Sequence, residues 1–241
     1  MDKKLLSIGQ AAKLIGVSIQ TLRRWDSSGK LKSFRLSGKG YRFYIKDEID
    51  LLINDLGSIA KSWVTASTPD IPQNEYYCQS SDVFEARLIR LQNELEKITG
   101  LEPLLSLIVS ITGEIGNNSF DHNLGVWPDI PGIYFGYDLN KRIVVLADRG
   151  QGILVTLKRV RPGLENDEEA LKTAFNEIIS GRAPEARGNG LKFVREVVQA
   201  NPLALLFQTG NAELSIKMND KDPKIGKSAY QFHGCLAIIN Y

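Results

Sequence analysis

The sequence has few cysteines and no long apolar run, and each shortage excludes a class of protein. Its 241 residues include two cysteines, Cys78 and Cys235. Two cysteines are too few for a disulfide framework, and these two lack the spacing of a metal site. We therefore expect the protein to work in a reducing compartment, the cytoplasm.

The apolar runs are also too short for a membrane protein. No stretch approaches the roughly 18 consecutive apolar residues that a membrane-spanning helix needs. Polar residues follow Leu6 at once, so the start of the chain lacks the apolar core of a signal peptide. We expect no membrane partner. The net charge of +2 is small, so any nucleic-acid binding has to come from a local basic patch.

The first fifty residues predict two short helices joined by a tight turn. Ser7 stands before the first helix, and Gln10 follows at the position that completes a capping box. Gly16 ends that helix, because glycine adopts the left-handed conformation at little cost. Ser18 then caps a second helix over residues 19–26. Two such helices form a helix-turn-helix.

A basic surface accompanies this motif. Between Lys30 and Arg42 the sequence has five basic residues and no acidic one, in a predicted β-hairpin. Basic and polar side chains of this kind reach phosphates and base edges in a DNA groove. The alternative is a small helical domain with a solvated charged face. The second helix presents four such side chains, Gln20, Thr21, Arg23 and Arg24.

From about Leu5 to Ile53 the chain resembles the MerR-type winged helix-turn-helix. The resemblance implies a domain over residues 1–56 that binds double-stranded DNA, with the second helix in the major groove and the wing on the backbone. The matching stretches are Ala11-Ala12-Lys13-Leu14-Ile15-Gly16-Val17-Ser18, Thr21-Leu22-Arg23-Arg24-Trp25, Gly29-Lys30-Leu31 and Tyr41-Arg42-Phe43-Tyr44. The predicted DNA-contact residues are Ser18, Gln20, Thr21, Arg23, Arg24, Arg35, Lys39, Tyr41 and Arg42.

A linker and a helix are predicted next. Residues 57–81 are rich in Ser, Thr, Pro, Asn and Gln, which is typical of a linker. A helix over residues 82–100 follows, and two interpretations of it stay open. It is either a dimerisation helix, which suits the dimers that MerR-type regulators generally form, or an amphipathic helix packed on the next domain. Its apolar positions follow a coiled-coil spacing, at Phe84, Leu88, Leu91, Leu95 and Ile98.

Polar residues interrupt a mostly apolar helix predicted over residues 104–123. Glu114 and Asn118 are four residues apart and so share one face of that helix. A carboxylate beside an amide suits general-base activation of water together with Mg²⁺ binding. The alternative is a polar cluster at the end of a helix.

Two glycine-rich stretches complete the pattern. Asp148 follows a predicted strand over residues 141–147, and a carboxylate there can accept a hydrogen bond from an adenine amino group. Gly150 and Gly152 then let a base lie against the backbone. Farther along, Gly188-Asn189-Gly190-Leu191 opens a helix, whose backbone N–H groups and dipole favour a phosphate.

In this order the three stretches resemble the motifs of the GHKL ATPase superfamily, which includes gyrase, histidine-kinase catalytic domains and anti-sigma-factor kinases. The resemblance implies an α/β sandwich with a mixed or antiparallel sheet over residues 101–241, which binds ATP and Mg²⁺ under a mobile lid. It makes Glu114 the general base, Asn118 the Mg²⁺ ligand and Asp148 the adenine partner. The other implied nucleotide-binding residues are Asp121, His122, Gly150, Gly152, Gly188, Asn189, Gly190, Leu191 and Thr209.

The sequence thus predicts a two-domain α+β protein, a homodimeric transcription regulator whose ATP-binding domain controls DNA binding. A second hypothesis is a DNA-localised ATPase, or a Ser/Thr protein kinase of the anti-sigma type with a regulatory protein partner. A third is an inactive nucleotide fold that serves only to bind partners. We do not expect histidine autokinase activity, because His122 and His233, the two histidines of the chain, lie outside the candidate dimerisation helix.

Overall fold

The computed structural model describes residues 4–15, 17–29, 31–35, 40–46, 48–49, 55–177 and 190–241. The chain divides into two compact units, Met1–Ile59 and Ala60–Tyr241. Helices and sheets occur in both, so the predicted α+β class is confirmed. Within the described ranges no helix combines the length and the apolar character that crossing a bilayer demands.

The first unit is a pair of helices beside a small sheet. Helices α1 (Ile8–Ile15) and α2 (Ile19–Ser28) are followed by the predicted hairpin, β2 (Phe34–Arg35) and β3 (Arg42–Ile45). A strand that the sequence did not predict, β1 (Leu5–Ser7), pairs with the other side of β3, so the antiparallel order is β1-β3-β2. The core is formed by Ala11, Ala12, Leu22, Leu31, Tyr44 and Ile49.

The predicted helix caps of this unit are present. The Gln10 side chain accepts a hydrogen bond from the Ser7 backbone N–H at 2.9 Å, and the Ser7 hydroxyl accepts one from the Gln10 N–H at 3.4 Å. These two bonds form the capping box. The Ser18 hydroxyl accepts a bond from the Thr21 N–H at 3.1 Å. Gly16 lies outside the described residues.

Residues 57–81 contain regular structure where the composition predicts a linker. Helix α3 (Leu56–Thr65) and strand β4 (Tyr77–Cys78) lie in or across this segment. Ala60, Trp63 and Val64 are buried at helical spacing, although polar residues surround them in the sequence. Burial of this apolar stripe explains why a Ser- and Thr-rich segment folds as a helix.

Helix α4 (Ser81–Leu95) packs against α5 (Glu102–Asn123) within the second unit. The side chains of Phe84, Leu91 and Leu95 are fully buried in the core of that unit. The coiled-coil spacing therefore reflects packing inside one unit, which is the second of the two interpretations. The core of this unit covers the seam at these three positions, and the dimer itself stays a prediction.

The second unit is built on a five-stranded antiparallel sheet in the order β4-β5-β6-β8-β7. The strands after β4 are β5 (Ile133–Asp138), β6 (Ile143–Asp148), β7 (Ala204–Lys217) and β8 (Lys224–Asn240). One apolar core joins the sheet to the helices. Besides α4 and α5, the helices of this unit include α6 (Gly152–Lys158), α7 (Asp167–Asn176) and α8 (Gly190–Ala200).

Because Gly113 and Gly116 of α5 face α4 at different distances, substitution by alanine should affect stability differently at the two positions. A Cβ at Gly116 would overlap the Phe84 ring, whereas a Cβ at Gly113 would lie 3.1 Å from a methyl group of Leu88. Gly116→Ala should lower the free energy of unfolding by about 1–3 kcal/mol, because the helices must separate. Gly113→Ala should be neutral or raise it by up to about 1 kcal/mol, because alanine favours a helix.

Urea unfolding of the full chain measures both variants. Equal effects at the two positions would contradict the packing described for α4 and α5.

Candidate functional site

Asp148 is the last residue of β6 and its carboxylate is buried. The residue is 2% exposed. One carboxylate oxygen accepts a bond from the Gly150 N–H at 2.8 Å, and the other accepts one from the Ser119 hydroxyl at 2.9 Å. The backbone N–H of Cys235, the residue that β8 places opposite Asp148, is a third donor. Three separate segments therefore hold this side chain.

Burial controls the ionisation of this carboxylate. It raises the pKa of Asp148 from 3.8 to about 6, although the three hydrogen bonds favour the charged form. The group is thus ionised for most of the time at neutral pH. It is an acceptor in surroundings where an unpaired charge costs stability.

A cavity opens next to Asp148, between α5, α6 and the sheet. The space amounts to about 850 Å³ when open solvent at its mouth is included. Its walls are largely apolar, with Asp148 among a few polar groups. The apolar lining includes Ile115, Leu146, Ile153, Leu157, Phe207 and Ala237, and the polar lining includes Asn118, Ser119, His122, Asn123, Asp148 and Thr156.

Helix α5 contributes one polar row to this cavity. Asn118, Ser119 and His122 line it together because they share a helical face. The Asn118 amide donates to the Glu114 carboxylate at 3.3 Å, as their four-residue spacing predicts. Burial, with a contribution from the charge of Arg159, lowers the pKa of His122. Burial therefore favours the neutral form of the His122 imidazole.

The glycines around the cavity allow close approach. A Cβ at Gly150 would overlap the Asn123 side chain, whose oxygen accepts a bond from the Gln151 N–H at 2.8 Å. A Cβ at Gly190, the first residue of α8, would overlap the carboxylate of Glu114. The structure therefore brings Glu114 and Gly190 together, two residues that the sequence assigned to one site.

Thr209, on β7, lies next to the turn that follows Asp148. It is fully buried, donates to the Gly234 carbonyl at 2.9 Å and accepts a bond from the Ile153 N–H at 3.3 Å. The residue does not line the cavity. Thr209 binds the N–H of Ile153 in the first turn of α6, and its predicted contact with adenine stays a prediction.

The other predicted nucleotide-binding residues differ in where they lie relative to the cavity. Gly190 and Leu191 line the cavity. Asp121 is exposed on α5, outside the lining. Gly188 and Asn189 lie outside the described residues.

Ser119, Asn123 and Cys235 belong to the site but were not predicted. Ser119 and Asn123 extend the spacing of Asn118 along one face of α5, so helical periodicity could have identified them. Cys235 is identified only by the pairing of β8 with β6. Nothing in the local sequence around Cys235 indicates that pairing.

The helix residues proposed for DNA contact lie at the surface of the first unit. Gln20, Arg23 and Arg24 are exposed on α2. The hydroxyl groups of Ser18 and Thr21 are 2.9 Å apart, so the two residues are tied to each other at the start of that helix. The first turn of α2 is thereby held in place beside the exposed arginines.

The wing residues proposed for DNA contact differ in their surroundings. Arg35 is exposed and Tyr41 is 85% exposed. Arg42 donates to the Asp26 carboxylate at 2.8 Å, which ties the wing to α2. Burial opposes ionisation of Asp26, but bonds from Arg42 and Ser33 lower its pKa to about 2. Lys39 lies outside the described residues.

Comparison with known proteins supports the helix-turn-helix in the first unit. The model of the MerR family regulatory protein matches residues 7–44. Those residues are a MerR-family domain. The transcriptional repressor DcmR of Methylorubrum extorquens is 33% identical over 73 residues, which are 30% of this chain and 28% of the repressor.

A second similarity covers a shorter stretch. The type II methyltransferase M.Eco47II of Escherichia coli is 47% identical over 49 residues, which are 20% of this chain and 12% of the methyltransferase. The chain thus matches less than a third of the length of either relative.

The raised pKa of Asp148 predicts a stabilising substitution. Asp148→Asn removes a buried charge and keeps groups that bond to Gly150 and Ser119. The ligand-free variant should gain about 1–3 kcal/mol of unfolding free energy near pH 7.5. The native pKa of about 6 exceeds the unfolded value. The cost of ionisation is therefore fully present above pH 6 and fades towards pH 4, so the gain should fall by more than half near pH 4.5.

Denaturant unfolding at the two pH values measures this effect. Asp138→Asn is the matched control, since it makes the same change in a carboxylate that is 29% exposed. That control should change stability little at either pH. An Asp148→Asn variant that is less stable than the wild type at both pH values would refute the assignment of a strained buried charge.

Proposed function

We propose that the chain is a DNA-binding regulator whose second unit binds ATP, and that the nucleotide controls DNA binding. The observation that carries the nucleotide half is the buried carboxylate of Asp148 in an apolar, glycine-bordered cavity. The MerR-family domain carries the DNA half.

Exposed cations on α2 support the DNA half. Arg23 and Arg24 are exposed, and Gln20 lies on the same side of the helix as Arg24. A recognition helix uses such side chains for phosphates and base edges. The repressor among the relatives favours transcriptional control as the purpose of binding.

Arg24→Gln should weaken DNA binding by about tenfold and reduce its dependence on salt concentration, because a phosphate contact is lost. The probe is a duplex that the wild-type protein selects from random sequence, and fluorescence anisotropy across a salt series gives the affinity. Arg90→Gln is the control, since the Arg90 side chain is 74% exposed on α4. Equal affinity of Arg24→Gln and wild type at every salt concentration would refute the contact.

The nucleotide half corresponds to a domain of the GHKL type. A purine fits between apolar walls, and its exocyclic amino group needs an acceptor such as the Asp148 carboxylate. Asn118 lines the cavity, and its amide nitrogen makes the bond to Glu114. The Asn118 oxygen would then be the atom that holds a Mg²⁺ ion, for which an amide oxygen is a suitable ligand. The residues present therefore fit ATP with Mg²⁺.

Asp148→Asn should lower ATP affinity by about tenfold to a hundredfold, because the ligand loses a hydrogen bond to a charged acceptor. Calorimetry on the full chain measures the affinity, and Asp138→Asn should leave it unchanged. An unchanged affinity in the Asp148 variant would refute the adenine contact. An absence of ATP binding by the wild type would refute the nucleotide half altogether and favour a fold that only binds partners.

A second function is favoured by the pairing of Glu114 with Asn118. A carboxylate beside a Mg²⁺ ligand is placed to activate water or a hydroxyl group, which is ATPase or Ser/Thr kinase chemistry. Glu114→Ala would then abolish phosphate release or transfer and spare ATP and DNA binding. If the wild type has no turnover with or without DNA, ATP is a signal and not a substrate.

The homodimer belongs to the proposal as well. MerR-type regulators generally act as dimers, and two heads suit a palindromic site. The core of the second unit covers the apolar seam of α4, which favours another surface for the contact between two chains.

A further inference from the structure

Arg149 is a buried charged side chain directly after Asp148. Its side chain is 1% exposed. The guanidinium donates to one carboxylate oxygen of Asp129 through two nitrogens, at 2.9 and 2.7 Å. Its third nitrogen donates to the Trp63 carbonyl at 2.7 Å. A buried cation is destabilising unless such partners surround it, so these contacts fix where the turn lies.

Trp63 lies in the last turn of α3. The final carbonyls of a helix have no partner within the helix, and a cation near them complements the helix dipole. Arg149 therefore caps the C-terminal end of α3 together with the Ala66 N–H, which donates to the same Trp63 carbonyl at 3.3 Å. The chain passes from the first unit to the second within this helix, between Ile59 and Ala60.

The other contacts of α3 leave one buried hydrogen-bond donor without an acceptor within the described residues. The Lys61 ammonium lies 3.9 Å from the centre of the Tyr230 ring on β8, and burial lowers the pKa of Lys61. The indole N–H of Trp63 is buried, and within the part of the chain that the structure describes it has no acceptor. A buried donor without a partner destabilises the contact. Because this donor destabilises the contact, the hydrogen bond from Arg149 to the Trp63 carbonyl accounts for a larger share of the stability with which α3 is held.

We propose that Arg149 is a positioning residue that couples nucleotide binding at Asp148 to the end of α3. The proposal rests on the proposed ATP site. A hydrogen bond from ATP to the Asp148 carboxylate would add a further restraint to the turn from Asp148 to Gly152, which Asp148 and Asn123 already bind through the N–H groups of Gly150 and Gln151. This restraint holds the guanidinium on the Trp63 carbonyl for more of the time. ATP then favours the state in which α3 is capped, because it binds that state more tightly.

Hydrogen exchange of the full chain, with and without ATP and Mg²⁺, tests the coupling. ATP should slow amide exchange in residues 60–65 by about fivefold or more. In Arg149→Met the slowing should vanish, and calorimetry should still detect ATP binding, weaker than in the wild type by about the factor by which ATP slows exchange, because the coupling is reciprocal. Arg90→Met removes an exposed arginine from α4 and should keep both properties.

Arg149→Lys separates coupling from folding. Lysine keeps the buried positive charge but cannot reproduce the forked contact with Asp129 and Trp63. It should fold, bind ATP and lose more than half of the slowing, which gives a result even if Arg149→Met does not fold.

The possible failures are distinguishable. Undiminished slowing in a folded Arg149 variant overturns the role of Arg149. ATP binding to the wild type without slowing in α3 overturns the coupling and leaves the ATP site standing. A wild type that does not bind ATP overturns the nucleotide half of the proposed function, and the coupling with it.

Discussion

The carboxylate of Asp148 is buried, and a buried charge has to be surrounded by donors. Its donors come from the turn at Gly150, from Ser119 on α5 and from Cys235 on β8. These segments are distant in sequence, so the carboxylate is in place only when helix, turn and sheet have all assembled. Thr209 and Gly234, which meet beneath the turn, belong to the same arrangement.

Two adjacent residues at the end of β6 carry opposite charges into different surroundings. Asp148 borders the cavity and is held by neutral donors. Arg149 contacts Asp129 and the end of α3. Alternation along an extended chain sends successive side chains to opposite sides, which explains how one turn serves two faces. Burial raises the pKa of Asp148, and the hydrogen bonds from its three neutral donors offset that effect only in part.

Local patterns predicted the parts of the fold that depend on neighbours in the sequence. The caps at Ser7 and Ser18, the pair at Glu114 and Asn118, and the carboxylate at the end of β6 all follow from short-range spacing. The order of strands does not, because β1, β4 and the partner of Asp148 on β8 are defined by pairing across long separations.

At two places the sequence pattern alone does not determine the structure. The Ser- and Thr-rich segment that contains α3 resembles a linker, but three buried apolar residues make it a helix. The heptad spacing of α4 is compatible with packing on another chain or on α5, and only the burial of Phe84 and Leu91 distinguishes the two. A spacing pattern identifies an apolar face without identifying its partner.

The Asp148 carboxylate and the Trp63 indole N–H are both buried polar groups whose burial costs stability. Asp148 is a buried charge held by three neutral donors, and the Trp63 indole N–H is a buried donor without an acceptor within the described residues. Such groups lower the stability of the unit unless a ligand or a change of packing supplies a partner. Arg149 lies between them in the contact network, one residue from the carboxylate and bonded to the Trp63 carbonyl. A ligand that donates to the carboxylate would relieve the strain at one end of this network, and the turn would transmit that change to α3.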